Sequence, residues 1–289
     1  MPRPLVGLNL MNTDDFRLAA FPLFEQDLVD IVEFSFDITW KGLPEPEWLT
    51  ELLNYFSTER KLLGHGVHFS ALSAEWQPRQ QVWLEQLKAE CQRRNYTHVS
   101  EHFGFMTAGN FHEGFPLPVP RTEGSLRIGR DRLKMLADAA QRPIGLENLA
   151  LAMCPDDVRG QGEFIDELLE PIDGFVLLDL HNLYCQLENF KVDAEQLMDS
   201  YPLQRVREIH ISGGSWAEPM GQPFRRDTHD GAVPERVFEL IPLALQKCPN
   251  VQAVIFERLS STMEDDAEKS GFERDFKRLR KSVHEAWSA

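Results

Sequence analysis

Eight short apolar runs, rich in β-branched and aromatic residues, recur along the chain with helical stretches between them. The runs are VGLNLM (6–11), DIVEFSFD (30–37), LLGHGVHF (62–69), THVSEHF (97–103), PIGLENL (143–149), GFVLLDLHN (174–182), VREIHIS (206–212) and QAVIFER (252–258). Residues 80–93, 124–140, 162–169 and 234–246 carry helical spacing. Strands that are apolar on both faces belong in a parallel sheet covered by helices. Eight of them alternating with helices over 289 residues predict an α/β fold, a (β/α)8 TIM barrel. Such barrels run to about 250 residues or more as one unit, so a single domain over 1–289 is expected. No linker, internal repeat or low-complexity tract interrupts it.

In a barrel of this kind the chemistry sits at the C-terminal ends of the strands. Nine metal-competent side chains fall at or just past those ends: His65, His102, Glu147, Asp179, Asn182, His210, Asp227, His229 and Glu257. A lone histidine is more often a satisfied core residue than a ligand. One or two such groups on each of strands three to eight, and none in the helices, is a pattern that structural histidines rarely produce. Glu147 and Asp179 end apolar runs, where a carboxylate without a charge partner is costly. His65 is flanked by Gly64 and Gly66, which suggests a sharp turn carrying the imidazole inward. Ser100 and His102 share one strand face and Glu101 the other. His68 is set aside as facing away, and His181 is read as pointing away or supporting a ligand. Asp227-x-His229 is a spacing that lets two side chains chelate one ion. Imidazoles with acidic oxygens suit zinc, iron or manganese, and their number exceeds the needs of one ion.

Bulk properties limit the partners. With 46 acids against 30 bases, a formal charge of −16 argues against a nucleic-acid backbone. No apolar stretch approaches the ~20 residues of a membrane span, and the start lacks the pattern of a signal peptide. Cys91, Cys154, Cys185 and Cys248 form no C-x-x-C pair, which points to a reducing cytoplasm.

Two segments break the rhythm. Residues 106–123 are far longer than the ~2–6 residues of an ordinary βα connection and follow the strand bearing His102, so a lid or substrate loop is expected there. Residues 213–231 end in Asp227-Thr228-His229-Asp230 and read as a mobile approach to the site. Within it Arg225 and Arg226 are candidates to meet a substrate carboxylate through a bidentate contact.

Together, His65-Gly66-Val67-x-x-Ser70, Ser100-Glu101-His102, Glu147-Asn148, Leu178-Asp179-x-x-Asn182-x-Tyr184, Glu208-Ile209-His210-x-x-Gly213, Asp227-Thr228-His229-Asp230-x-x-Val233-Pro234 and the terminal Glu257 resemble one known family. It is that of the multinuclear non-heme iron-dependent oxidative enzymes, xylose-isomerase-like barrels that include the iron oxidase of methanobactin biosynthesis. The resemblance covers roughly residues 5–260. It implies two or three iron ions held by the nine residues above, with dioxygen as co-substrate. It further implies a cysteine-bearing, ribosomally made precursor peptide as substrate and a small partner protein that binds the leader peptide.

The chain departs from the family where Gly214 and Gly231 stand in place of common histidines, and where Asp37-Ile38 stands in place of a Glu-Asn pair on strand two. The alternative is zinc-dependent hydrolase or endonuclease chemistry, or sugar isomerisation, on the same barrel. The endonucleases carry His where this chain has Asn182, and DNA hydrolysis needs basic phosphate contacts that an acidic chain offers sparingly.

Overall fold

A computed structural model describes residues 2–42, 44–108 and 111–288. Eight parallel strands close on themselves: β1 (Leu5–Leu10), β2 (Ile31–Phe34), β3 (Leu62–Gly66), β4 (Tyr96–His102), β5 (Ile144–Glu147), β6 (Phe175–Asp179), β7 (Val206–Ile211) and β8 (Ala253–Phe256). Each pairs with its sequence neighbours, and β1 completes the ring against β8 through Leu5↔Ala253 to Leu8↔Phe256. Around them run α1 (Asp14–Glu25), α2 (Glu47–Thr58), α3 (Pro78–Arg93), α4 (Glu123–Ala140), α5 (Pro155–Leu169), α6 (Leu180–Phe190), α7 (Ala194–Asp199), α8 (Glu235–Lys247) and α9 (Asp266–Ser288). The (β/α)8 expectation holds for all eight runs.

Local chemistry sets the helix starts. Thr13, Thr122 and Asp193 accept hydrogen bonds from backbone amides of the first turns of α1, α4 and α7, while Pro78 and Pro155 open α3 and α5 where a missing N–H costs nothing. The C-terminal helix α9 covers the barrel with Phe272, Phe276, Leu279 and Val283 buried. Phe272 stacks 5.0 Å from Phe256 of β8.

The barrel interior changes character along its axis. Ile31, Leu63, Ala253 and Ile255 form a small apolar cluster, with Leu5 packed on it, distinct from the main core between strands and helices. Side chains two residues further along a strand face the same way. On β2 and β3 those are Glu33 and His65, and one step past Ile255 on the same face is Glu257, all buried. The polar layer therefore lies over an apolar plug, at the C-terminal end of the barrel.

Several expected boundaries shift. The sixth run was read as extended to Asn182, yet β6 stops at Asp179, because the Asp179 carboxylate caps α6 by accepting from the Asn182 amide at 2.6 Å. Asn182 thus sits in a helix. Gly64 and Gly66 make no turn. A Cβ on Gly64 would lie 2.9 Å from Tyr96, and one on Gly66 3.1 Å from Trp83, so these glycines let aromatic rings approach β3. β2 ends at Phe34, which puts Asp37 beyond the strand on a short 3-10 turn, Phe36–Lys41. The segment 106–123 contains an antiparallel hairpin, Phe105–Ala108 against Phe111–Leu117; residues 109 and 110 lie outside the described residues. The 213–231 segment is tied by a two-residue ladder, Trp216–Ala217 with Phe224–Arg225.

Candidate metal centre

Strand register brings the chemistry together: His65 lies beside Ser100, His102 beside Glu147, and Asp179 and Ile255 flank His210. Among the described residues, four triads have ligand atoms all within 4.8 Å of one another: His65/His102/Glu147, Glu147/Asp179/His210, Asp179/His229/Glu257 and Glu33/His210/Glu257. All four share corners. Glu147, Asp179, His210 and Glu257 each belong to two, an arrangement whose carboxylates would serve more than one ion.

Seven of the nine expected residues thus stand in triads. Asn182 borders them, its amide nitrogen donating to Glu147 Oε1 at 3.2 Å and to the Asn148 carbonyl at 2.8 Å. Asp227 borders them too, with Oδ1 lying 2.9 Å from both His181 Nδ1 and His229 Nε2. His229 reaches this place through a left-handed backbone, φ +50°. Asp227 and His229 therefore face each other directly.

Orphaned atoms test whether a metal suits this space. Asp179 Oδ2, Asn182 Oδ1, Glu33 Oε2, Glu208 Oε1, both ring nitrogens of His210, His102 Nδ1 and His229 Nε2 are buried and make no well-directed hydrogen bond, although several lie close to one another. Buried polar atoms normally find a partner. A convergent set of buried imidazole nitrogens and carboxylate oxygens fits a divalent transition metal.

The ligand candidates are also held from behind. Ser100 Oγ donates to the Gly64 carbonyl (3.3 Å), so it accepts from His65 Nδ1 (2.8 Å). That leaves His65 Nε2 as a bare acceptor 3.5 Å from Glu147 Oε2, the same oxygen that His102 Nε2 faces at 3.5 Å. His210 Nδ1 faces Glu257 at 3.1 Å, while its Nε2 faces Glu33 (3.3 Å) and Glu208 (3.6 Å). Asn148 clamps Asp179 by accepting from its amide at 2.6 Å and donating to its carbonyl at 3.2 Å. Such supporting bonds orient metal ligands.

Without a cation the site holds displaced pKa values. Burial pushes Glu33 up to about 8 and Glu147 to about 7. Burial, with Asp227 and Glu147 nearby, holds Asp179 well above the usual carboxylate range. Burial and the adjacent His102 and His210 push His65 well down. For His102, burial opposes but Glu147 and Glu101 prevail, raising it to about 9. Burial likewise opposes the rise of His210 and His229, where Glu257 and Glu33, and Asp227 and Glu257, respectively, prevail. Proton and metal compete for these atoms.

Sequence reasoning missed Glu33, Glu208 and His98. Glu33 sits in Ile-Val-Glu-Phe and carried the signal that marked Glu147, an acid emerging from an apolar run. Asn9 donates to both Glu33 and Glu257 at 2.7 Å, linking the missed acid to the expected one. His98 and Glu208 form a buried pair at 2.8 Å beneath His210.

Two of the departures from the family pattern, at Asp37 and Gly214, have physical explanations, whereas a Cβ on Gly231 would meet only the Gly214 carbonyl at 3.4 Å. Asp37 Oδ2 accepts from the amides of Val67 (3.0 Å) and His68 (2.7 Å) and from Trp83 Nε1 (2.9 Å), so it braces the loop after β3. At Gly214 a Cβ would lie 2.3 Å from the Arg226 carbonyl and 2.7 Å from His181, leaving no room for a side chain. The two arginines part ways: Arg226 is exposed and donates to Ser215 Oγ at 2.7 Å, whereas Arg225 is buried with its guanidinium turned to His181.

A cavity of about 300 Å³ opens beside the triads, lined by His102, Asn182 and Asp227 on one side and by Phe115, Leu151 and Phe224 on the other. A larger one, about 690 Å³, lies among Arg3, Arg205 and Arg207, away from every triad found among the described residues. The smaller cavity is the one next to the chemistry.

A closed (β/α)8 barrel gathering imidazoles and carboxylates at its C-terminal mouth is a xylose-isomerase-like TIM barrel. The structure of an L-ribulose 3-epimerase matches it with a TM-score of 0.63 at 13% identity, covering 99% of this chain and 96% of that one. The chain belongs to the RiPP precursor modification enzyme family MbnB/TglH/ChrH, whose family model matches residues 29–266. It is similar to a UPF0276 protein of Caulobacter vibrioides, 28% identical over 82% of this chain and 81% of the relative. A UPF0276 protein of Acinetobacter baylyi is 27% identical over 68% of this chain and 66% of the relative, just short of two thirds of its length. No helix among the described residues is long and apolar enough to cross a membrane.

Proposed function

We propose that this protein is an iron-dependent oxidase that uses dioxygen to modify cysteine in a ribosomally made precursor peptide, acting in the cytoplasm as one domain over 1–289 and receiving its substrate through a partner that binds the leader peptide. The observation that carries the reading is the run of triads sharing Glu147 and Asp179, which suits two or three adjacent ions. His65, His102, Glu147, Asp179, Asn182, His210, Asp227, His229 and Glu257 would hold them. Iron would supply a redox-active centre able to accept electrons from a substrate thiol and pass them to dioxygen.

The chain's own residues do the rest. Ser100 fixes His65 with Nε2 bare, Asn148 fixes the Asp179 backbone, and Asn182 holds the Asp179 and Glu147 carboxylates through its backbone and side-chain amides. Phe115, Leu151 and Phe224 form an apolar wall that displaces water when a peptide enters the cavity beside His102 and Asp227. Arg226, exposed at the rim, is placed to meet a peptide carboxylate. The free cysteines, Cys91, Cys154, Cys185 and Cys248, accord with a reducing compartment.

The test is mass spectrometry of a short cysteine-containing peptide encoded beside the gene, incubated with iron-loaded protein, its encoded partner and oxygen. A mass change confined to cysteine supports the proposal. An unchanged peptide, with abasic-DNA cleavage or sugar isomerisation by the same preparation, transfers the assignment to the alternative class.

A further inference from the structure

Arg225 borders the cavity beside the triads, but its guanidinium is engaged with His181. Its Nη2 and Nε lie 3.1 and 3.3 Å from His181 Nε2, and its backbone is locked to the Asn189 side chain by bonds of 2.8 and 2.9 Å. The guanidinium is held between the rings of Tyr184 (5.3 Å) and Trp216 (5.7 Å). His181, on α6, is fully buried, and the absence of a side chain at Gly214 makes room for its ring.

The direction of the bonds follows from elementary chemistry. A guanidinium has donors and no acceptor, so His181 Nε2 must accept. A neutral imidazole then carries its single proton on Nδ1, which lies 2.9 Å from Asp227 Oδ1 and donates to it. We infer that Arg225 and His181 are positioning residues: Arg225 fixes the His181 tautomer, and His181 anchors Asp227 through Oδ1, the oxygen that also faces His229. Without the guanidinium the His181 proton is free to move to Nε2. Nδ1 would then set a lone pair against a carboxylate, and Asp227 would lose its anchor.

The part concerning Asp227 rests on the metal reading above, whereas the tautomer does not, and the experiment separates them. Nitrogen-15 correlation spectra of the metal-free protein report which ring nitrogen of His181 is protonated. The wild type should show Nδ1 protonated, Arg225→Ala should lose that preference, and Arg225→Lys, which keeps a donor, should retain it. Anaerobic titration with ferrous ion should show one equivalent weakened ~10- to 100-fold in Arg225→Ala, the effect typical of lost ligand support, and near-wild-type binding in Arg225→Lys. In a His181→Asn background, whose amide can still donate to Asp227, Arg225→Ala should cost no further affinity. A proton on Nε2 in the wild type, or unchanged spectra and affinity in Arg225→Ala, overturns the inference. Absence of ferrous binding in the wild type would sink the metal reading and, with it, the role of Asp227, while the spectra would still decide the tautomer.

Discussion

Replacing Asp37 separates a structural acid from a metal ligand. Its side chain is 2% exposed and takes three donors on one oxygen, from Val67, His68 and Trp83. Hydrogen bonds to a charged group contribute ~1.5–3 kcal/mol each, and stranding buried donors costs a similar amount. Three would sum to more than any single substitution usually delivers, because water enters and the loop after β3 relaxes. A loss of about 3–5 kcal/mol is therefore expected for Asp37→Ala, the range seen when one partner of a buried charged contact is removed. Asp37→Asn retains a carbonyl acceptor and should lose about 1–3 kcal/mol. At ~2–4 °C per kcal/mol, thermal unfolding followed by circular dichroism should place the alanine variant at least ~6 °C below the wild type. Metal content per folded chain should not change, since no triad contains Asp37. Wild-type stability combined with lost metal would refute the reasoning and make Asp37 a ligand rather than a brace.

Gly214→Ala should destabilise the fold by about 1–3 kcal/mol, because its Cβ would overlap the Arg226 carbonyl; a melting temperature equal to wild type would show that the 213–231 segment yields freely. In the metal-free chain, Glu33 (about 8), Glu147 (about 7), His102 (about 9) and the raised His210 and His229 keep protons that the unfolded chain has released by pH 7. Their contribution is present at lower pH and is lost as pH rises through the folded values. Stability in chelator should thus fall between pH 7 and 9, by ~1.4 kcal/mol per pH unit for each excess proton, and a rise over that window would contradict the assignment. With metal bound the ligands are already deprotonated, so the same melts should be flatter.

The barrel was legible because strands buried on both faces announce themselves as apolar runs, and the interleaved helices leave one way to close them. Strand ends were less so. Leu180 and His181 continue the look of a strand, and only the Asp179 side chain, folded back onto the Asn182 amide, stops it. Six of the ligand candidates now in triads were readable because an acid or imidazole at the end of an apolar run needs a partner, and His229 was readable from its spacing to Asp227. Glu33 also emerges among apolar residues, but in the middle of its run, where no strand end marks it. Arg225 looked like a free cation beside Arg226. Its burial depends on His181, 44 residues away in sequence, and on Tyr184 of the same helix, a contact that no local pattern encodes.

The central claim is that several ions, and specifically iron, occupy the shared triads. Elemental analysis of protein expressed in iron-rich medium and purified anaerobically, alongside His65→Ala and His229→Ala, tests it most directly. The account predicts two or three equivalents of iron in the wild type, about one fewer in each variant, and iron above zinc throughout. Stoichiometric zinc without iron, or metal content indifferent to both substitutions, would contradict it.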